Sequence, residues 1–290
     1  MEALFQALLG GLILGLVYIA IAVGLTIIFG TLRLVNFAHG AFYAIGAYVG
    51  LVIAQNLGVG WAFVAAPIAV ALFAVLLDRL VLRSFYDKAP TAQLLVTFGI
   101  ALVVEESLRL IFGATTQQYK MPDALQGSAT LGPITYPAYR LLFGAGVIVM
   151  LALLWLFIER TNYGLLVRAG IRDRIMVQLL GGNIRQASTV IFTLGAAVAG
   201  LVGAAATPIY GIDPATGFAF LVPSFVVVVV GGLGSFWGAV LGGLLIGELQ
   251  SLTNLAYAPA SQVVIYLCMA LVLLFRPQGL LGESEVIRQS

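Results

Sequence analysis

The run "LLGGLILGLVYIAIAVGLTIIFG", residues 8–30, holds no charged residue, and its only polar side chains are those of Tyr18 and Thr26. Wound as an α-helix at about 1.5 Å per residue, it is long enough to cross a hydrocarbon core of about 30 Å. Inside lipid every backbone N–H and C=O must be satisfied, so only helices and closed barrels span. The alternation of period two that marks a membrane barrel is absent here. Working outward, comparable runs fall at about 38–54, 61–82, 93–112, 140–158, 187–209, 218–235, 238–256 and 261–276. The expectation is an all-α, polytopic helix bundle of eight or nine spans. Nine is the count if the segments meeting at "GGLGSFWGA" are both full spans rather than broken helices.

Composition supports the same class. Of 290 residues, 61% are hydrophobic and 9% charged, and the mean hydropathy is +1.08; soluble domains carry about a quarter charged residues. A net charge of +2, spread over short loops, does not suggest nucleic acid. The first run lacks a basic leader and follows Glu2, so it is not expected to be a cleaved signal. Cys268 is the sole cysteine and reads as packing. One histidine excludes a histidine-rich metal site, and neither HExxH nor GxSxG occurs. A Ser-His protease built from His39 and Ser235 would lack any identifiable oxyanion hole.

Short loops rich in arginine and lysine mark the cytoplasmic side. Arg83 and Lys88 follow the third run, Arg160, Arg168, Arg172, Arg174 and Arg185 crowd residues 159–186, and Arg276 and Arg288 lie in the tail. Residues 113–138, with Lys120, Asp123, Gly127, Gly132, Pro133 and Pro137, read as an outer loop. Nine spans then place the N-terminus outside and the C-terminus inside.

The connection 159–186 is far longer than the usual four to six or so residues. It has helix-forming content between Gly164 and Gly181-Gly182, with Leu165, Ile175, Met176 and Leu179 on one face together with Arg168 and Arg172. A helix lying on lipid would segregate those residues, whereas one docked into a protein groove need not.

Four stretches, "GLTIIFGTLRLVNFAHGAFYAIGAYV", "RAGIRDRIMVQLLGGN", "VVGGLGSFWGAVLGGLLIG" and "FRPQGLLG", resemble the branched-chain amino acid permease family of binding-protein-dependent ABC importers. The match runs from Leu8 to Gly282 in the family's order and is closest to the shorter of the two permease types. It implies a single integral-membrane permease domain over residues 1–282 with a short cytoplasmic tail at 283–290, in the bacterial inner membrane. It also implies a second permease subunit, two cytoplasmic ATP-binding subunits and an external substrate-binding protein as partners. In such proteins a short coupling helix meets the ATP-binding subunit. Here that helix corresponds to Arg168–Asn183, with Arg168, Arg172, Asp173, Arg174, Gly181 and Asn183 as its candidate residues. Val177 and Gly182 depart from the family's common alanine and isoleucine without removing a charge. The implied cargo is a branched-chain amino acid or a related small amide.

An independent observation points to an external motor. A P-loop ends in Gly-Lys-Ser/Thr, and the only lysines, in "YDKAP" and "QYKMP", follow no such turn. No cofactor is therefore expected in this chain, ATP being held by partners. The competing class is a secondary carrier or channel working alone, which would couple through titratable groups at the midplane.

Polar residues at membrane depth are candidates for a translocation path. Asn36 and His39 in "NFAHG" admit two readings. In one, Asn36 caps a helix near the cytoplasmic headgroups and His39 packs beside it. In the other, the chain is irregular and lines the path together with Gly40. Gly231, Gly232, Gly234 and Ser235 pose the same choice between close helix packing and a second path-lining break, and the two places together suggest a weak internal repeat. Glu105 and Arg109 are spaced to pair, Glu106 is expected to point elsewhere, and Glu248 has no basic neighbour in its helix.

Overall fold

The computed structural model describes residues 2–32, 36–86, 88–131, 134–172 and 174–282. The helices are α1 (Glu2–Leu32), α2 (His39–Leu57), α3 (Val59–Leu80), α4 (Pro90–Phe112), α5 (Ala138–Arg160), α6 (Asn162–Arg172), α7 (Arg174–Leu179), α8 (Ile184–Tyr210), α9 (Thr216–Gly231), α10 (Phe236–Tyr257) and α11 (Ser261–Phe275). Each of the nine apolar runs became one helix. Six segments are long and apolar enough to span by those criteria, one of them, Phe236–Phe275, comprising α10 and α11. The other two runs differ for visible reasons: α4 carries Glu105, Glu106 and Arg109, and α9 has 16 residues. At about 1.5 Å per residue α9 falls short of a full crossing, so it starts inside the membrane.

With the arginine-bearing ends taken as cytoplasmic, α1 enters from outside and α8 leaves from inside. Lipid offers no hydrophobic drive for helices to associate, so close contact depends on small residues. α1 and α10 are antiparallel and meet through glycines: a Cβ on Gly15 would lie 2.8 Å from the Gly243 carbonyl, and one on Gly247 would lie 2.5 Å from Gly15. Tyr18 donates to Gln250 at 2.8 Å and Ser251 donates to the Ala7 carbonyl at 2.6 Å, which fixes the register. α2 and α8 approach as closely at Gly46, where a Cβ would overlap the Gly200 backbone, while a Cβ on Gly200 would meet Val70 of α3 at 2.6 Å. These helices form the centre. α3 is peripheral: Ala62, Ala66, Val70 and Ala74 are buried, while Trp61, Ile68, Leu72, Leu76 and Leu80 form an exposed apolar stripe.

The outer loop folds back over the helix ends. It contains an antiparallel hairpin, β1 (Ser128–Leu131) and β2 (Ile134–Pro137), which hydropathy did not foretell. Gln117 pairs with Ile212, and Tyr119 and Tyr139 donate to the Ala204 and Ala205 carbonyls at 2.8 and 2.6 Å. Burial pushes the Tyr119 phenol above its ordinary pKa, so it stays a donor.

At the inner end Asp78 is fully buried yet paired. It accepts from Tyr86 and from Thr189, the latter at 2.6 Å, and Arg83 lies 3.5 Å away. Those partners fasten α3 to α8 and to the turn before α4. The expected isolation of Glu106 is corrected: Arg109 reaches Glu105 at 2.9 Å and Glu106 at 2.7 Å. Residues three and four apart both flank the arginine, and its planar fork spans the two carboxylates.

Candidate functional site

α8 serves as a depth scale. Gly195 lies 11 residues from its inner end, about 16 Å at the helical rise. Gly24 of α1 faces Gly195, and the His39 ring lies 2.6 Å from where a Gly24 Cβ would be. His39, the first residue of α2, is thus near the middle of the membrane rather than among the headgroups. The chain runs inward past this level on α1 and returns to it before α2 begins. Asn36 is buried, and its Oδ1 accepts from Ala38 N–H at 3.1 Å, two residues on, which is a turn rather than the cap of α2. Phe37 N–H reaches Thr97 Oγ1 of α4 at 3.3 Å.

Gly40 stacks on Gly217, a Cβ on the first lying 2.5 Å from the carbonyl of the second. Two helix starts, those of α2 and α9, therefore cross inside the membrane where neither has a side chain. Around the crossing, buried polar atoms accumulate without partners among the described residues: Asn36 Nδ2, both His39 ring nitrogens, Thr26 Oγ1, Ser224 Oγ and Tyr43 OH. The Ile21 carbonyl faces the imidazole without meeting hydrogen-bond geometry. Buried polar groups in folded chains are normally satisfied, and each orphan costs about 1–3 kcal/mol. Such unused donors and acceptors can hydrogen-bond water or a polar solute.

Toward the outside the region is closed by rings. Phe220 of α9 packs against Tyr43, Tyr210 and Tyr18 with centroids 4.9, 5.6 and 6.2 Å apart. The crevice beside Gly40, lined also by Phe37, Ala44, Glu105 and Gly217, holds ≈ 10 Å³, space for about one water. Sequence reasoning missed this aromatic cluster, because Phe220 looks like any apolar residue of a membrane helix.

The second glycine-rich place is built differently. Gly231 closes α9, Gly232 and Gly234 take φ of +107° and +86°, and Ser235 caps α10 by accepting from Gly238 N–H at 3.0 Å. The C-terminal segment adds to the turn: Leu280 and Leu281 N–H groups donate to the Val230 and Gly231 carbonyls at 2.8 and 2.9 Å. This turn lies at the inner end of α9 and α10. No contact brings it to Asn36, His39 or Gly40 among the described residues.

The inner surface departs from the single helix expected over Arg168–Asn183. α6 begins earlier, at Asn162, and α7 ends at Leu179. Gly182 N–H returns to the Val177 carbonyl at 2.8 Å with Gly181 at φ +82°, the left-handed closure that glycine permits. Asn183 caps α8, accepting from Gln186 N–H at 3.0 Å. Gly181 and Asn183 thus form the turn into α8 rather than the helix. Arg168 folds back on α5: it meets Glu159 at 3.1 Å and donates to the Ile158 and Glu159 carbonyls, capping that helix. Gly164 permits this, since a side chain there would overlap the Ile158 carbonyl. Arg172 and Arg174 occupy the facing ends of α6 and α7, and Asp173 between them lies outside the described residues. Val167 is buried against Ala187 and Ile191 of α8, whereas Leu165, Leu179 and Leu180 are 58, 77 and 80% exposed.

Comparison with known proteins accords with this geometry. The family model described as "Branched-chain amino acid transport system / permease component" matches residues 7–273. The chain is 30% identical to the high-affinity branched-chain amino acid transport system permease protein LivH of Escherichia coli K12, over 97% of this chain and 96% of LivH. It is 31% identical to BraD of Pseudomonas aeruginosa with the same coverage. It is also 27% identical to LivM of E. coli, over 94% of this chain and 69% of LivM. The chain therefore belongs to the family of permease components of branched-chain amino acid transport systems, multi-pass proteins of the inner membrane.

Proposed function

We propose that this permease passes a branched-chain amino acid, or a related small amide, through the region between α1, α2, α8 and α9, and that it has no enzymatic activity of its own. Asn36, His39 and Gly40 line that path with Ser224 and Thr26, and Phe220 with its three tyrosines closes it on the outer side. Neutral hydrogen-bonding groups suit a solute with no net charge, because no fixed ion has to be left uncompensated when the path is empty.

Movement is driven from the inner surface. Separate ATP-binding subunits dock on α6 and α7, and closing over nucleotide shifts this permease against a second one as rigid bodies. The second permease is of the LivM type, since LivH and LivM are both permease proteins of the high-affinity branched-chain amino acid transport system of E. coli. An external binding protein delivers the solute over the outer hairpin. The observation that carries the reading is the exposure of Leu165, Leu179 and Leu180 in the arginine-rich connection of a chain whose sequence has no P-loop. Exposed apolar side chains in a connection outside the spans fit a protein partner better than water.

The test is uptake of labelled leucine by vesicles carrying the whole complex. Leu165→Asp with Leu179→Asp should uncouple ATP hydrolysis from uptake, reducing uptake by at least about tenfold, the effect of losing a central interface anchor. Assembled complex with unchanged uptake would refute docking at this surface.

A further inference from the structure

A groove of ≈ 580 Å³ opens between the inner halves of α3 and α8. It is graded along both helices. Arg79, Arg83 and Arg185 stand at the cytoplasmic end with Asn183 and Gln186, and Val75, Val190 and Leu194, interleaved with Thr189 and Thr193, line it deeper along the two helices. Only one of the three arginines has a carboxylate: Asp78 lies 3.5 Å from Arg83, whereas Arg79 and Arg185 make no ion pair among the described residues. Among the described residues, then, two of the three guanidinium groups have no compensating carboxylate. Beside them runs the exposed stripe of Leu72, Leu76 and Leu80 on α3, an apolar flank of the kind that lipid covers.

The geometry points to a binding site for an anionic phospholipid of the inner leaflet, its phosphate held by Arg79 and Arg185 and its first methylenes lying on Val75, Val190 and Leu194. Guanidinium recognises phosphate oxygens two at a time, which an ammonium cannot do. A free phosphate would use the arginines but not the apolar wall above them. A lipid uses both. The N–H groups of Ile184, Gln186 and Ala187 at the start of α8 are already taken by Gly182 and Asn183, so α8 adds only the positive end of its dipole. Asn183, in the turn that leads from α7 into α8, also lines the groove, so the site borders the leucine-bearing docking surface without including its leucines, and it does not depend on the proposed transport reaction.

Native mass spectrometry of the full-length chain measures the retained lipid directly. Wild type should hold phosphatidylglycerol at least about tenfold more tightly than phosphatidylcholine, and Arg79→Gln with Arg185→Gln should weaken phosphatidylglycerol about thirtyfold, as expected for two interfacial charges. Arg79→Lys with Arg185→Lys should keep the preference for anionic lipid in weakened form. Lys120→Gln with Arg140→Gln, which removes two charges from the outer side, should leave binding intact. Heat denaturation in phosphatidylcholine, unchanged for all variants, separates lost binding from lost folding. Equal retention of the two lipids would overturn the site, as would equal weakening by the outer-side pair. Displacement of lipid from wild type by millimolar inorganic phosphate would assign the arginines to a soluble anion and overturn it too. So would loss of lipid photolabelling at Val190 when the ATP-binding partner is added, because the groove would then belong to a protein interface.

Discussion

The two glycine-bearing interruptions, residues 36–40 and 231–235, look alike in sequence and are opposites in structure. Each joins a long apolar run to a small-residue helix, and each brings one or two polar side chains into apolar surroundings. At 231–235 the hydrogen-bond account closes: Ser235 caps α10, and the turn carbonyls receive N–H groups from Leu280 and Leu281. At 36–40 it does not close, and Asn36 and His39 keep buried atoms without partners at mid-depth. Glycine with a polar neighbour therefore does not distinguish a tight corner from an interruption that leaves its polar groups unused. What distinguishes them is whether the polar group has been used up by the fold.

The comparison can be broken most forcefully at the corner. A Cβ at Gly231 or at Gly238 would overlap the other's carbonyl, and backbone on both sides cannot give way as a flexible side chain could. Gly238→Val should cost about 3 kcal/mol, at the upper end of overpacking effects, and abolish accumulation of folded protein. Full yield with normal heat stability would show that α9 and α10 separate freely.

At mid-depth the expected result has two signs. His39→Leu removes an imidazole of similar size whose nitrogens have no partner, so stability should hold or rise by about 1 kcal/mol. Uptake of labelled leucine by the assembled complex should fall at least about tenfold, the loss of roughly one well-placed polar contact. Stability and uptake moving apart would mark a group kept for transport at the expense of the fold. If both fell together, His39 would be a packing residue, and the contrast with 231–235 would disappear.

Much of the bundle was legible because hydropathy is a local property. All nine apolar runs became helices, and the arginine-rich connections sit at the same membrane face. What stayed hidden depends on partners distant in sequence. Asp78 reads as a liability in "VLLDRLVL" until Thr189, 111 residues away, donates to it. Phe220 becomes the centre of an aromatic cluster only through Tyr18, Tyr43 and Tyr210 on three other helices. The site residues divide in the same way. Their polarity at membrane depth could be seen in the chain, but whether Asn36 and Ser235 were caps or path could not, since the N–H groups they meet depend on where the backbone turns. Arg168 was visible as a basic residue in a docking segment, while its hold on the end of α5 requires the reversal at Thr161 and Gly164, with Thr161 receiving Gly164 N–H at 3.2 Å.

The finest test of the comparison is Ser235→Ala. It removes one cap acceptor at the start of α10 and leaves Gly238 N–H without its side-chain partner, a loss of about 1 kcal/mol. The turn should survive, because the N–H groups of Ser235 and Ala239 still donate to the Gly232 and Ser235 carbonyls at 3.1 and 3.0 Å. Leucine uptake per assembled complex should stay within about twofold of wild type while the melting temperature drops by a few degrees. A Ser235→Ala complex that melts normally but no longer transports would move Ser235 from the corner to the path. The two interruptions would then be a repeated device, and the closed hydrogen bonds at 231–235 would describe one state of a segment that opens during transport.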